Sequence, residues 1–290
     1  MTENAPGSVD LGRGLTLPNP VGLASGTAGY GFELEQLIDI NRLGALYTKG
    51  TTMDARAGNP PPRVAETGGG MLNSIGLQNP GVDAVATTYA PRWTGWSIPI
   101  IVNIAGGSVD EYVHCVSVLE SVSEVAGIEL NISCPNIAQG LDFGRDPAEA
   151  ARLVAAVRAV TQRCVIVKLS PNVTDIAAVA RAVEDAGADA VSAVNTYIGR
   201  KIHRATGRSV LPLGTGGLSG PAIQPLALAA VAAVCAAVHI PVIGVGGIID
   251  AASAQDFLIV GACAVQVGTA TFVNPETALQ VLDGLRVDDY

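Results

Sequence analysis

PVIGVGGIIDAASAQDFLIVGACAVQVGTA, residues 241–270, is the stretch on which the fold turns. It holds a short apolar strand pattern at Val242–Val245, a helical pattern at Ala251–Val260 and a second strand pattern at Ala264–Val267. Both strands are runs of small and aliphatic residues with little polar alternation, as expected where a parallel sheet is covered on both faces. Each ends in small residues, Gly246-Gly247 and Gly268-Thr269, where backbone N–H groups can approach an anion closely. An open dinucleotide-binding sheet would show a Gly-x-Gly-x-x-Gly turn after its first strand, and none follows Val21–Ala24. Glycine turns on the last two strands suit a phosphate-binding (β/α)8 barrel instead.

Working back toward the N-terminus, the same rhythm repeats. Strand patterns fall at Val21–Ala24, Ala45–Thr48, Ile100–Ile104, Ile128–Ile132, Val165–Leu169 and Ala190–Val194. Helical patterns follow at Phe32–Ile40, Val82–Arg92, Val109–Val125, Pro147–Val160, Asp175–Ala186, residues 222–238 and Pro275–Leu285. Eight βα units in 290 residues predict a (β/α)8 TIM barrel, a fold of about 250 residues. Residues 9–18, VDLGRGLTLP, predict an N-terminal β-hairpin ahead of it. A long insertion after the second strand, Thr51–Pro80, carries three prolines at 60–62, three glycines at 68–70 and several amides, and reads as an ordered excursion. No Pro- or Ser-rich linker divides the chain, so residues 1–290 are expected to form a single domain.

The formal charge of −9 and pI near 4.8 leave no basic stripe to displace counterions, which argues against a nucleic-acid partner. Five cysteines at 115, 134, 164, 235 and 263 form no Cys-x-x-Cys pair, and three histidines are scattered, so no metal site is expected. The cysteine usage suits a reducing cytoplasm. The polar N-terminus predicts neither a signal peptide nor a membrane anchor. Residues 209–249 contain no Asp, Glu, Lys or Arg, yet their longest helical part, Leu226–Val238, is short of the roughly 20 apolar residues a bilayer requires. That uncharged helix is expected to be covered by another subunit or by the chain's own insertions.

In such a barrel the chemistry sits at the C-terminal strand ends. These ends carry Ser25, Lys49, Asn103, Asn131 with Cys134, Lys168, Asn195-Thr196, Gly246-Gly247 and Gly268-Thr269. A lone strand-terminal lysine is usually a surface residue and a lone cysteine an inert buried thiol. Two lysines, three asparagines and a cysteine on one mouth point to a polar, partly anionic ligand. Ser219-Gly220 adds a third small-residue turn, and the lack of basic residues at these turns suits one phosphate held by backbone dipoles.

Several long motifs share this order with a known family. GNPPPRVAETGGGMLNSIGLQNPG (58–81), ELNISCPN (129–136), VKLSPNVTDI (167–176), GGLSGPAIQP (216–225), VIGVGGI (242–248) and VQVGTA (265–270) make the chain resemble the dihydroorotate dehydrogenases from about Leu15 to Val273. The match is nearest to the catalytic chains of the two-subunit class 1B. The resemblance implies an FMN-containing barrel that oxidises (S)-dihydroorotate to orotate in pyrimidine biosynthesis. It places Cys134 as the base for the C5 proton while hydride leaves C6 for FMN. Lys49 would meet the substrate carboxylate and the flavin, and Asn73, Asn131, Asn136 and Asn195 the pyrimidine ring. Ser74, Ile75, Gly76, Leu77 and Thr196 would complete the substrate set. Lys168 would stabilise reduced flavin. Ser25, Lys49, Gly50, Asn103, Asn131, Val194 and Thr196 would line its ring and ribityl chain, and Gly220, Gly246, Gly247, Gly268 and Thr269 its phosphate.

The resemblance further implies a homodimer working with an electron-transfer subunit that carries FAD and a 2Fe-2S cluster and delivers electrons to NAD. This chain lacks the four grouped cysteines such a cluster needs. Two alternatives stay open: a fumarate-using class 1A-like enzyme, and reduction of uracil-like bases as in dihydropyrimidine dehydrogenases. Gly140 and Gly144 are candidate hinges of a loop, 137–146, expected to close over the substrate.

Overall fold

A computed structural model describes residues 7–133 and 143–287, without the side chains of 286 and 287. Fourteen strands occur among the described residues. β1 (Val9–Asp10) and β2 (Thr16–Leu17) form the expected hairpin, with Val9 opposite Leu17. They are followed by β3 (Val21–Leu23), β4 (Ala45–Tyr47), β5 (Val64–Thr67), β6 (Gly70–Asn73), β7 (Ile100–Ile104), β8 (Val125–Asn131) and β9 (Cys164–Leu169). β10 (Ala190–Ala193), β11 (Tyr197–Gly199), β12 (Gly216–Ser219), β13 (Val242–Val245) and β14 (Ala264–Val267) complete the set. The eight expected core strands close into one parallel barrel in the order β3-β4-β7-β8-β9-β10-β13-β14, with β14 hydrogen-bonded back to β3.

Helices pack outside it: α1 (Val82–Ala84, a single turn), α2 (Val109–Glu120), α3 (Pro147–Arg158), α4 (Ile176–Asp185), α5 (Gln224–Cys235), α6 (Ala251–Ile259) and α7 (Thr277–Val287). The side chains of Ser108, Asp146, Asp175 and Asp250 accept backbone N–H groups at the starts of α2, α3, α4 and α6. Each satisfies a donor that the first helical turn leaves unpaired. Strand parity then divides the apolar residues. Leu130, Val167 and Val191 face the helices, while Ile101, Ile166, Ala190, Ile243 and Ala264 fill the barrel. Leu11, Leu15 and Leu17 of the hairpin join that inner cluster and plug its N-terminal end.

Three expected helices differ. Phe32–Ile40 is a run of turns that mixes Glu35 N–H to Gly31 O with Leu37 N–H to Leu34 O, followed by a 3-10 turn at Ile40–Arg42. Gly31 lies at φ +93° against Trp96, where a Cβ would come within 2.5 Å of the indole. Phe32 also packs on Tyr89, Trp93 and Trp96, so tertiary contact sets the path of this segment. Val82–Arg92 is helical but irregular: α1 passes into a π-turn at Val85–Tyr89 and a 3-10 turn at Ala90–Gly95, with Pro91 unable to donate. α2 stops at Glu120, and Val125 already belongs to β8.

The Thr51–Pro80 excursion is ordered, as expected, but not as a loop alone. β5 and β6 pair antiparallel and join β12 and β11, from the far side of the barrel, in a sheet ordered β11-β12-β6-β5. Buried Asn79 ties the excursion down. Its Oδ1 accepts from Thr52 N and Gly81 N, and its Nδ2 donates to Thr52 Oγ1 and Leu77 O. On α5, Ala227, Val231 and Val234 are buried, while Pro225, Leu226, Ala229 and Ala233 are exposed, so the described residues leave that stripe uncovered. No helix among the described residues is long and apolar enough to cross a membrane.

Candidate active site

The C-terminal strand ends and the β11-β12-β6-β5 sheet enclose a cavity of about 1110 Å³. Every expected site residue that falls among the described residues lines it. Lys49, Gly50, Asn103, Asn131 and Lys168 come from the barrel mouth, with Ser25 and Val194 beside them. Asn73, Ser74, Ile75, Gly76 and Leu77 come from the excursion, and Asn195, Thr196 and Gly220 from the segments around β11 and β12. Gly246, Gly247, Gly268 and Thr269 lie after β13 and β14. Cys134 and Asn136 lie outside the described residues, as do positions 137–142 of the expected closing loop. Ser133, the residue before Cys134, lines the cavity.

At one end the cavity offers amides and ammonium groups. Asn195 Nδ2 donates to Asn131 Oδ1 at 3.1 Å, which orients both side chains toward one another. Asn73 Nδ2 reaches Gly217 O at 3.4 Å across the β6–β12 pair. Burial, assisted by the nearby Arg63 guanidinium, lowers the pKa of Lys49 from its usual 10.5. Asn103 Oδ1 and Ser133 Oγ are buried with no hydrogen-bond partner among the described residues. Unsatisfied polar atoms on a cavity wall cost free energy unless a ligand meets them.

The opposite end is shaped by glycine. Gly246 and Gly247 lie at φ +136° and +76°, and a Cβ on Gly247 would stand 2.9 Å from the backbone N of Gln224. Gly220, at φ +96°, packs its Cα side against Gly70, where a Cβ would approach to 2.7 Å. Thr269 Oγ1 donates to Ser219 Oγ at 2.8 Å beside these turns. Backbone donors brought this close, with no side chain to block them, suit a phosphate group. The cavity therefore combines glycine-built turns suited to a phosphate with amide and ammonium groups suited to a polar ligand.

Some functional candidates escape the sequence reading. Asn172 lines the cavity, donating to Thr196 O at 2.9 Å and accepting from Ile198 N at 3.0 Å. Asn59 bridges the excursion by donating to Ser74 O at 2.9 Å. Beneath the cavity floor a polar layer crosses the barrel: Glu129, Ser192 and Gln266 are all buried. Lys168 Nζ donates to Gln266 Oε1 at 2.8 Å and lies 3.8 Å from Glu129 Oε1. Burial lowers the pKa of Lys168, and the Glu129 carboxylate opposes that shift. The available signal was a glutamate and a glutamine inside otherwise apolar strands, which seldom survive burial without partners.

Known proteins share this chain's sequence along nearly its full length. The family model for dihydroorotate dehydrogenase matches residues 12–287. A Trichlorobacter lovleyi protein named dihydroorotate dehydrogenase B (NAD(+)), catalytic subunit, is 53% identical over 280 residues, covering 96% of this chain and 92% of the relative. Relatives of the same name from Pelobacter propionicus and Porphyromonas gingivalis are each 49% identical, over 274 and 283 residues. These alignments cover 94% and 97% of this chain, and 90% and 92% of the respective relatives. With the model spanning all but the two ends and relatives about half identical along the same length, the chain belongs to the dihydroorotate dehydrogenase family.

Proposed function

We propose that the chain oxidises (S)-dihydroorotate to orotate, with FMN in the cavity and NAD as the final acceptor through a partner subunit. The observation that carries this reading is the meeting, in one cavity, of a buried ammonium and several amides with a glycine-built anion cradle. When bound, FMN supplies the two-electron acceptor. Orotate formation removes a hydride from C6 and a proton from C5, leaving the C5–C6 double bond. Lys49 neutralises the substrate carboxylate as a compact cation. Asn73, Asn131 and Asn195, with Asn136, meet the ring C=O and N–H groups, because each amide offers both a donor and an acceptor. Cys134 takes the C5 proton; its thiol, unperturbed pKa about 8.5, is far enough from neutrality that deprotonation limits the rate at low pH. Lys168 and Asn103 hold the cofactor ring, and the turns at Gly220, Gly246, Gly247, Gly268 and Thr269 hold its phosphate.

The relatives are named catalytic subunits of an NAD(+)-linked enzyme. The word subunit in those names supports a second chain as the route by which electrons leave; we infer that this second chain carries FAD and a 2Fe-2S cluster and that two copies of the present chain form the core of the assembly. The four described cysteines are free thiols, which suits a reducing cytoplasm.

The test is spectroscopic. The purified chain should be yellow, and dihydroorotate added without oxygen should bleach it, while NAD alone accepts few electrons until the partner is supplied. Cys134→Ala should keep FMN but lose turnover by at least a hundredfold. Uracil should fail as a substrate in the reverse direction. A colourless chain, or one unbleached by dihydroorotate, sinks this reading.

A further inference from the structure

We propose that Glu129 is a positioning residue that sets the reduction potential of the cofactor site by balancing the charge of Lys168. This rests on the FMN reading above and assigns a role to a residue that does not itself line the cavity.

The argument begins with burial. Glu129 has no exposed surface, and Lys168 is 3% exposed. Glu129 Oε2 accepts from Asn103 Nδ2 at 2.6 Å, and Oε1 accepts from Ser192 Oγ at 2.7 Å and Gln266 Nε2 at 3.1 Å. Every one of these neighbours presents a proton, which is the setting of a carboxylate and not of a carboxylic acid. Gln266 bridges the two charges, its oxygen accepting from Lys168 and its nitrogen donating to Glu129. Reversing that amide would break both bonds, so the charged pair fixes its orientation. Five strands, β7, β8, β9, β10 and β14, each contribute one member of the layer.

A structural plug does not require these charges. The barrel interior is otherwise filled by Ile101, Ile166, Ala190, Ile243 and Ala264. Burying an ion pair costs several kcal/mol of desolvation per ion, and apolar residues of similar size commonly do as well or better. A charge is therefore best explained by what lies above it. Lys168 and Asn103 line the cavity, and both are held from below by the same glutamate or its bridging amide.

Reduction places additional negative charge on the flavin ring. A floor carrying only the Lys168 ammonium would strongly favour the reduced form, because charge is poorly screened in a water-excluded site. Glu129 offsets that ammonium and keeps the reduced cofactor able to pass its electrons on. It also pins the Lys168 amine, so that the stabilising charge has one position.

The test uses the full-length chain with FMN bound. FMN per chain is measured by absorbance, then the two-electron potential by anaerobic equilibration with reference dyes, in the wild type, Glu129→Gln, Lys168→Gln and the double variant. Glu129→Gln should raise the potential by at least tenfold in the oxidised-to-reduced equilibrium, about 30 mV for a two-electron couple. Lys168→Gln should lower it. The double variant should return to within threefold of the wild type, since the floor is again neutral.

If the lone Glu129→Gln protein fails to fold, the comparison of Lys168→Gln with the double variant decides, because those two proteins differ only in the charge at Glu129. Equal potentials in those two proteins, or an unchanged or lowered potential in Glu129→Gln, would overturn the assignment with FMN still bound. Wild-type protein that holds no FMN would overturn the flavin reading and this inference together.

Discussion

Lys49 is the residue whose charge the proposed chemistry depends on most directly, and its surroundings work against that charge. Burial first, and the Arg63 guanidinium second, lower its pKa from 10.5. An ammonium exists only below its pKa, so lowering that value brings the alkaline loss of carboxylate binding to a lower pH. The KM for dihydroorotate should therefore rise with pH at a midpoint below 10.5, and Arg63→Gln should move that midpoint upward. Lys49→Met should raise KM by roughly tenfold to a hundredfold, the worth of a charged hydrogen bond, and flatten this limb. A midpoint unmoved in Arg63→Gln would show that the guanidinium is screened from Lys49. Lys49 was legible in the sequence because a strand end in a barrel has a known destination. Glu129 and Gln266 were not, because strands apolar on both faces give no parity with which to say which residues point inward.

At the scale of elements, the glycine turns after β13 make a claim that one methyl group can check. A Cβ on Gly247 would press on the Gln224 backbone at 2.9 Å and would also hold an L-residue at φ +76°. Gly207, at φ +67°, has nothing within 4 Å of the same position, so Gly207→Ala isolates the conformational cost, about 1 kcal/mol. Gly247→Ala should lose most of its FMN on gel filtration, whereas Gly207→Ala should retain it at wild-type stoichiometry. Equal retention in both would place the phosphate elsewhere. The turns themselves could be read from the sequence, since small residues directly follow apolar strands. The sheet opposite could not. β5 with β6 and β11 with β12 lie more than a hundred residues apart, and Gly70, Gly199, Gly216 and Gly217 weaken any strand pattern. The antiparallel pairing of β12 with β6, Gly217 with Asn73, Leu218 with Leu72 and Ser219 with Met71, brings the two hairpins together, and a non-local pairing of this kind leaves no periodicity behind.

The whole molecule closes its cavity with pieces drawn from Ala24 to Phe272. The barrel supplies one wall from its own hydrogen bonds, while the β11-β12-β6-β5 sheet supplies the other from two distant excursions. A ligand touching both walls binds the folded chain and has no counterpart in the unfolded one, so it must raise stability by mass action. At a free FMN concentration one hundred times its Kd, the gain is about 2.7 kcal/mol. For a chain of 290 residues, with an unfolding entropy of about 2.1 cal/mol/K per residue, each kcal/mol moves the melting temperature by about 1.6 °C, which gives an increase of about 4–5 °C. Removing FMN should therefore lower Tm by that amount, and adding it back should restore Tm with the logarithm of its concentration. Gly247→Ala should melt somewhat below the cofactor-free wild type, by its conformational cost, and gain little on addition, because its cradle no longer accepts the phosphate. Riboflavin, which lacks that phosphate, should stabilise the wild type less than FMN at equal concentration. If riboflavin and FMN raise Tm equally, the glycine turns do not hold the phosphate, and the ring end of the cavity alone accounts for the binding.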